Sequence, residues 1–174
     1  MPARTSSGCA PPATRSWTPP DVLRHSLTRI LPYTPRQLFD LVGDVERYPE
    51  FVPWVTRLRV WNRRTDGTGI TRLDAEAEVG FAIIHERFST RVRLDEPALD
   101  IDVELISGPF RRLDNRWRFK DHATGAELRF EIDFEFKSRL LQGLLAANFH
   151  HAVTRLVGCF EDRAKALYGS GPRA

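Results

Sequence analysis

At 174 residues with 41% apolar composition, the chain has enough material for one domain with its own core. A net charge of only +3 is too small to imply nucleic acid, and the two cysteines, Cys9 and Cys159, are too few and too far apart for a disulfide framework. No run approaches the ~18 consecutive apolar residues of a membrane span. The nearest, Leu140 to Phe149, is broken by Gln142, Gly143 and Asn148.

Residues 1–20 are rich in Pro, Ser, Thr and Ala, carry Arg4 and Arg15, and contain no acid. This composition reads as a disordered leader or as an organelle transit peptide. Residues 21–31 have strand character. Thr34 then reads as an N-cap and Pro35 as the first turn of a helix that ends at Gly43. A second short helix or turn is expected over Val45 to Phe51, limited by Pro49 and Pro53.

Six strands follow, at Val55–Asn62, Ile70–Val79, Ile83–Leu94, Leu99–Ile106, Arg112–Lys120 and Ala126–Phe136. Their short links predict an antiparallel meander, because parallel neighbours need long crossovers. Within them apolar and polar residues alternate strictly. Phe130, Phe134 and Phe136 oppose Glu131, Asp133 and Glu135, and Leu73, Ala75 and Ala77 oppose Asp74, Glu76 and Glu78. The sign of the polar face also alternates from strand to strand, so neighbouring strands should pair opposite charges and leave no broad positive stripe. Ser138 to Tyr168 reads as one long helix with Leu141, Leu145, Phe149, Ala152, Leu156 and Phe160 on its buried face, and Gly169 as its stop. The expected domain is therefore 21–168, between the 1–20 leader and a 169–174 tail.

One twisted sheet with one long helix is a two-layer α+β design. A helix of ~10 Å diameter does not cover seven strands, so the short helices at 35–52 either plug the remaining space or roof an apolar cavity. Glycine and small residues on the long helix (Gly143, Ala146, Ala147, Gly158) fit either a cavity or close helix–sheet contact. Catalytic signatures are absent: there is no P-loop, no G-x-G-x-x-G and no G-x-S-x-G. His150 and His151 point about 100° apart on a helix and lack further ligands, so no metal site is expected.

The string Leu41-Val42-Gly43-Asp44-Val45-Glu46-Arg47-Tyr48-Pro49-Glu50-Phe51-Val52-Pro53-Trp54 resembles the opening signature of the coenzyme Q-binding, START-like (polyketide cyclase/dehydrase-like) domains. So do Gly108-Pro109-Phe110-Arg111-Arg112-Leu113 with Trp117-Arg118-Phe119, and the exit Phe134-Glu135-Phe136-Lys137-Ser138. The resemblance spans roughly 21–168. It implies a helix-grip fold, a curved antiparallel sheet wrapped around a long C-terminal helix with two short helices as lid. It also implies a hydrophobic cavity for ubiquinone or a related polyprenyl lipid, held as a carrier or chaperone supporting respiration. Expected lining residues are Tyr48, Phe51, Pro53, Trp54, Phe110, Trp117, Phe119, Phe134, Asn148, Phe149, Ala152 and Leu156, with Tyr48, Asn148 and His151 as candidate polar anchors. No catalytic residue and no covalent cofactor are expected, so the chain reads as a binder rather than an enzyme. The same family has a ribosome-acting toxin-like branch and aromatase/cyclase enzymes, which stand as alternatives. The expected location is the cytoplasm, with peripheral contact to the respiratory membrane, or the mitochondrion if the leader is a transit peptide.

Overall fold

In the computed structural model, which describes residues 22–81, 84–146 and 148–169, the alternating segments become seven antiparallel strands with helices on one face. In chain order these are β1 (Leu23–Leu31), α1 (Pro35–Gly43), a 3₁₀ turn (Val45–Arg47) and α2 (Tyr48–Phe51). Then come β2 (Val55–Thr65), β3 (Ile70–Phe81), β4 (Ile84–Asp95), β5 (Asp100–Ser107), β6 (Phe110–His122), β7 (Gly125–Phe136), α3 (Arg139–Ala146) and α4 (Phe149–Tyr168). The sheet order is β1-β7-β6-β5-β4-β3-β2. The six expected strands form the meander, and β1 adds to its far edge beside β7. The 1–20 leader, residues 170–174 of the tail, and Ala147 lie outside the described residues.

Local chemistry accounts for the start of the helical layer. Thr34 caps α1 in a capping box: the Gln37 N–H donates to Thr34 Oγ1 at 3.1 Å, and the Thr34 N–H donates to Gln37 Oε1 at 2.9 Å. Pro35 occupies the first turn, where its missing N–H costs nothing. Leu38, Phe39, Leu41 and Val42 then face inward and are buried.

Period two decides the sheet. In β7, Ala126, Leu128, Phe130, Phe134 and Phe136 are buried on the inner, helix-side face. The intervening carboxylates meet arginines on the outer face: Asp133 with Arg24 and Arg112 at 3.6 Å each, and Glu135 with Arg111 at 3.3 Å. Opposite charges meet across other strand pairs as well, although the expected alternation is not strict: like charges stand directly opposite at Asp114↔Asp133, Arg118↔Arg129 and Arg72↔Arg93. Arg91 meets Asp74 at 3.2 Å, Arg87 meets Glu78 at 2.6 Å, and Asp102 is held between Arg93 (3.4 Å) and Arg118 (2.7 Å). Each such pair is worth about 0.2–1 kcal/mol at most. Their main effect is to reject wrong registers.

The C-terminal helix differs from expectation. It is two helices, α3 and α4, with Asn148 standing outside helical geometry at φ −123°, ψ 8° as the N-cap of α4. Asparagine competes poorly in a helix interior, which fits a break at this position, although its side chain makes no cap hydrogen bond here. Within α4 the buried stripe differs from the expected one. It runs Phe149, Val153, Val157, Phe160 and Ala164, while Ala152 is exposed and Leu156 only half-buried. A Cβ on Gly143 or Gly158 would meet nothing within 4 Å, so close helix–sheet contact is not their explanation.

Gly125 has a definite steric reason. Its φ is +143°, and a Cβ there would collide with the Leu31 carbonyl oxygen and stand 2.9 Å from Pro32 Cα. The β6–β7 turn and the end of β1 thus share one tight corner. Gly125→Ala is expected to cost about 1–3 kcal/mol from backbone strain alone, and to lower the thermal midpoint by several degrees. Gly67→Ala, at the β2–β3 turn where a Cβ meets nothing within 4 Å, should leave the midpoint within error. Equal midpoints for the two variants would overturn this account of the corner.

Candidate functional site

The inner face of the sheet is unevenly roofed. Helices α1, α3 and α4 pack over β1, β5, β6 and β7, while α2 and the 3₁₀ turn pack on β2. The β6–β7 half is filled by large buried side chains: Leu113, Trp117, Phe119, Leu128, Phe130, Phe134 and Phe136. Toward β2–β5 the inner face mixes buried residues, Leu73, Ala75, Ala77, Val92 and Ile101, with partly exposed apolar ones, Leu58, Val60, Phe88, Val103 and Leu105, continued by Phe110 at the start of β6. Pairings Leu58↔Ala77, Val60↔Ala75, Ala77↔Phe88 and Thr90↔Leu105 put these on the same side as the buried alanines of β3. Together they form an apolar surface beside the helices.

The expected lining residues fall into two aromatic groups and a scattered remainder. In the first group, Trp117 lies between Phe130 (centroids 4.3 Å apart) and Phe160 (5.1 Å), and Tyr48 and Phe51 close on Phe160 at 5.1 and 5.2 Å. In the second, Phe134 contacts Phe149 at 4.4 Å and Phe110 at 6.3 Å, and Phe110 also meets Phe88 at 5.3 Å. Trp54 is half-buried under the Arg155 guanidinium, 5.5 Å from its ring, and Leu156 is half-buried on α4. Phe119 packs instead on Phe39 of α1. Pro53, Asn148 and Ala152 are exposed.

The short helix carrying Tyr48 and Phe51 is fastened to α4. Arg163 pairs with Glu50 at 2.7 Å and sits 5.4 Å from the Phe51 ring. The Tyr48 hydroxyl donates to the Val42 carbonyl at 2.6 Å, and burial pushes its pKa upward, with the nearby Asp44 carboxylate adding to the shift. That phenol is therefore occupied in holding the end of α1. Asn148 makes no side-chain cap bond and is exposed, as is His151. None of the three expected polar anchors is presented to the inner face by these contacts.

Two histidines meet where sequence gave no signal. His25 of β1 and His150 of α4 bring their Nδ1 atoms to 3.4 Å, and His25 packs edge-on to Phe149. Their separation of 125 positions in sequence hid the contact. Among the described residues no three His, Cys, Asp or Glu side chains converge as a metal-ligand set, and no helix is long and apolar enough to cross a membrane. Two surface depressions, of about 300 and 340 Å³, lie against the charged outer side of the sheet, among Arg24, Glu131 and Asp133 and among Arg91, Asp102 and Arg118. Their charged lining does not suit a lipophilic guest.

A seven-stranded antiparallel sheet gripped against a C-terminal helix, with an apolar inner face and a short helical lid, defines the START-like class of α+β proteins. The chain belongs to the family described as "Polyketide cyclase / dehydrase and lipid transport", which matches residues 31–161. It is 36% identical over 143 residues to the ribosome association toxin RatA of Rickettsia prowazekii, covering 80% of this chain and 94% of that one. It is 33% identical over 152 residues to the mitochondrial coenzyme Q-binding protein COQ10 homolog B of Xenopus laevis, covering 84% of this chain and 60% of that protein. The solution structure of an 18 kDa protein from Caulobacter crescentus is 53% identical and superposes with a TM-score of 0.72 over 84% of this chain and 99% of its own.

Burial lowers the pKa of His25 below its ordinary 6.5, and the neighbouring His150 lowers it further. A depressed imidazole binds its proton more weakly in the folded chain than in the unfolded one. Stability is therefore full above the ordinary value and falls as the pH drops through it. Denaturant unfolding between pH 7 and about 5 should show this loss, and His25→Leu should flatten it. An unchanged slope in His25→Leu would remove the pair as its cause.

Proposed function

We propose that this chain binds ubiquinone or a related polyprenyl lipid against the inner face of its sheet and acts as a carrier or chaperone, without catalytic turnover. The observation that carries this reading is the run of half-exposed apolar residues from Leu58 and Val60 through Phe88, Val103 and Leu105 to Phe110. Apolar surface of this extent beside a packed core favours an apolar occupant. Each buried methylene contributes about 0.8 kcal/mol. The ten carbons of two isoprene units thus contribute about 8 kcal/mol, about the free energy of micromolar binding before the cost of association, so a longer chain or the ring must supply what offsets that cost. The coenzyme Q-binding relative supports the choice of ligand. A quinone of this kind resides in membrane, so the carrier would work at a membrane surface by peripheral contact.

The ribosome-associated reading has its own support in the relatives named RatA. Against it stands the outer face, whose arginines are paired with carboxylates strand after strand. Such a face offers little uncompensated positive charge to ribosomal RNA.

Solvent extraction and mass analysis of freshly purified protein should recover a polyprenyl quinone, and a short-chain ubiquinone should quench tryptophan fluorescence on titration. Ala147, one of the small residues on the helix side of the expected cavity, lies outside the described residues, so the space is better filled from the sheet. Val103→Trp should weaken quinone binding at least tenfold, at a stability cost of about 1–3 kcal/mol for overpacking. No extractable lipid, no quinone binding and salt-sensitive co-sedimentation with ribosomes would replace the carrier reading with the ribosomal one.

A further inference from the structure

One polar side chain interrupts the apolar inner face where the sheet is central. Along β6, Leu113, Asn115, Trp117 and Phe119 share that face, while Asp114, Arg116 and Arg118 take the other. Asn115 pairs across the sheet with Val103 of β5 and Ile132 of β7, and the same register row continues to His25 at the β1 edge. Its amide oxygen Oδ1 is buried and has no hydrogen-bond partner among the described residues. An aliphatic side chain would fill a central strand position without leaving an acceptor unpaired, so the amide at this position asks for a reason.

We propose that Asn115 is the polar anchor of the inner-face site, its Oδ1 accepting a hydrogen bond from a hydroxyl on a lipophilic ligand. This rests on the reading that an apolar molecule occupies the inner face, and it adds the chemistry of the head group. The half-exposed Val103 lies directly beside Asn115 and belongs to the apolar surface already described. The oxygen is closed off as the side chains stand, so a ligand lying along that surface makes the bond by displacing the side chains that cover it. An acceptor oxygen selects a donor, so the amide favours a lipophilic phenol or alcohol and, among polyprenyl quinones, the reduced quinol over the oxidised quinone, which has no hydroxyl to donate. A molecule of equal bulk that lacks the donor leaves the acceptor as unpaired as before, which is how a hydrogen-bonding site discriminates.

The test uses 4-nonylphenol and its methyl ether 4-nonylanisole, which share one chain and differ in the donor. The full-length protein should bind the phenol about tenfold more tightly than the ether, the effect of about one net hydrogen bond, although the ether is the more apolar of the two. In Asn115→Val the preference should collapse to about twofold or less, the affinity for the ether should hold or rise, and the thermal midpoint should rise because no acceptor is left unpaired. Equal binding of the two probes by the parent protein overturns the anchor while leaving the carrier reading intact. That measurement stands even if the variant does not fold. A variant that keeps the preference, or whose midpoint falls by several degrees, also overturns it. Binding of neither probe, together with no binding of a short-chain ubiquinone, removes the inner-face site itself.

Discussion

A slip of one residue in any strand pair would turn a row of arginines and carboxylates under the helices and leave phenylalanines in water. Every other feature depends on that slip not occurring. Hydrophobic burial rewards the correct register on the inner face, where Leu73, Val92, Ile101, Phe130 and Leu128 are fully buried. The outer face penalises alternatives by charge. Asp74 is itself buried and is held by Arg91 and by the Asn62 amide at 2.9 Å, so displacing its partners would strand a carboxylate. With register fixed from both sides, α1 and α4 find a single apolar platform. Tyr33 and Tyr168 then join the beginning and end of the helical layer, through the Tyr33 hydroxyl on the Gly169 carbonyl and the Tyr168 hydroxyl on the Gln37 carbonyl.

Most of this was legible in sequence because it rests on short-range periodicity. The alternation in β3, β5 and β7, the turns between strands and the capping box at Thr34 are all local patterns. The helix break at Asn148 was not legible, since apolar spacings of three and four run straight through it. Both Ala152 and Val153 fit such a stripe, and only the way α4 packs on its neighbours decides between them. In sequence Asn148 interrupts an apolar run, but a single low helix propensity carries less weight than about thirty residues of periodic pattern.

The site was legible in part. Aromatic groups around Trp117, Phe134, Tyr48 and Phe51 do gather, because they lie on the inner face or on the segment that packs against it. The surroundings of the three expected polar anchors were not legible, because tertiary contacts determine which polar group is already occupied. Tyr48 gives its hydroxyl to Val42, and His151 and Asn148 are exposed. Asn115 carried a sequence signal of its own, a polar residue on the apolar phase between Leu113 and Trp117. Its meaning depends on whether a neighbour satisfies it, which requires coordinates.

The inner face also explains where an occupant would fit and where none would. Its β6–β7 half is built from Trp, Phe and Leu, which fill their own side of the gap and stack on Phe149 and Phe160. Its β3 portion is built from Leu73, Ala75 and Ala77, two of which project a single methyl group. A sheet with large side chains on one half and small ones on the other cannot be covered evenly by one helix of constant diameter. The helix settles over the half that rises to meet it. The shallower half keeps Leu73, Ala75 and Ala77 buried but leaves partly exposed apolar side chains around them, and at its border with the filled half stands the one unpaired amide oxygen among the described residues. A lipophilic molecule with a hydroxyl head matches both features, whereas water matches only the second. That joint requirement is the physical argument for a guest rather than a solvated groove.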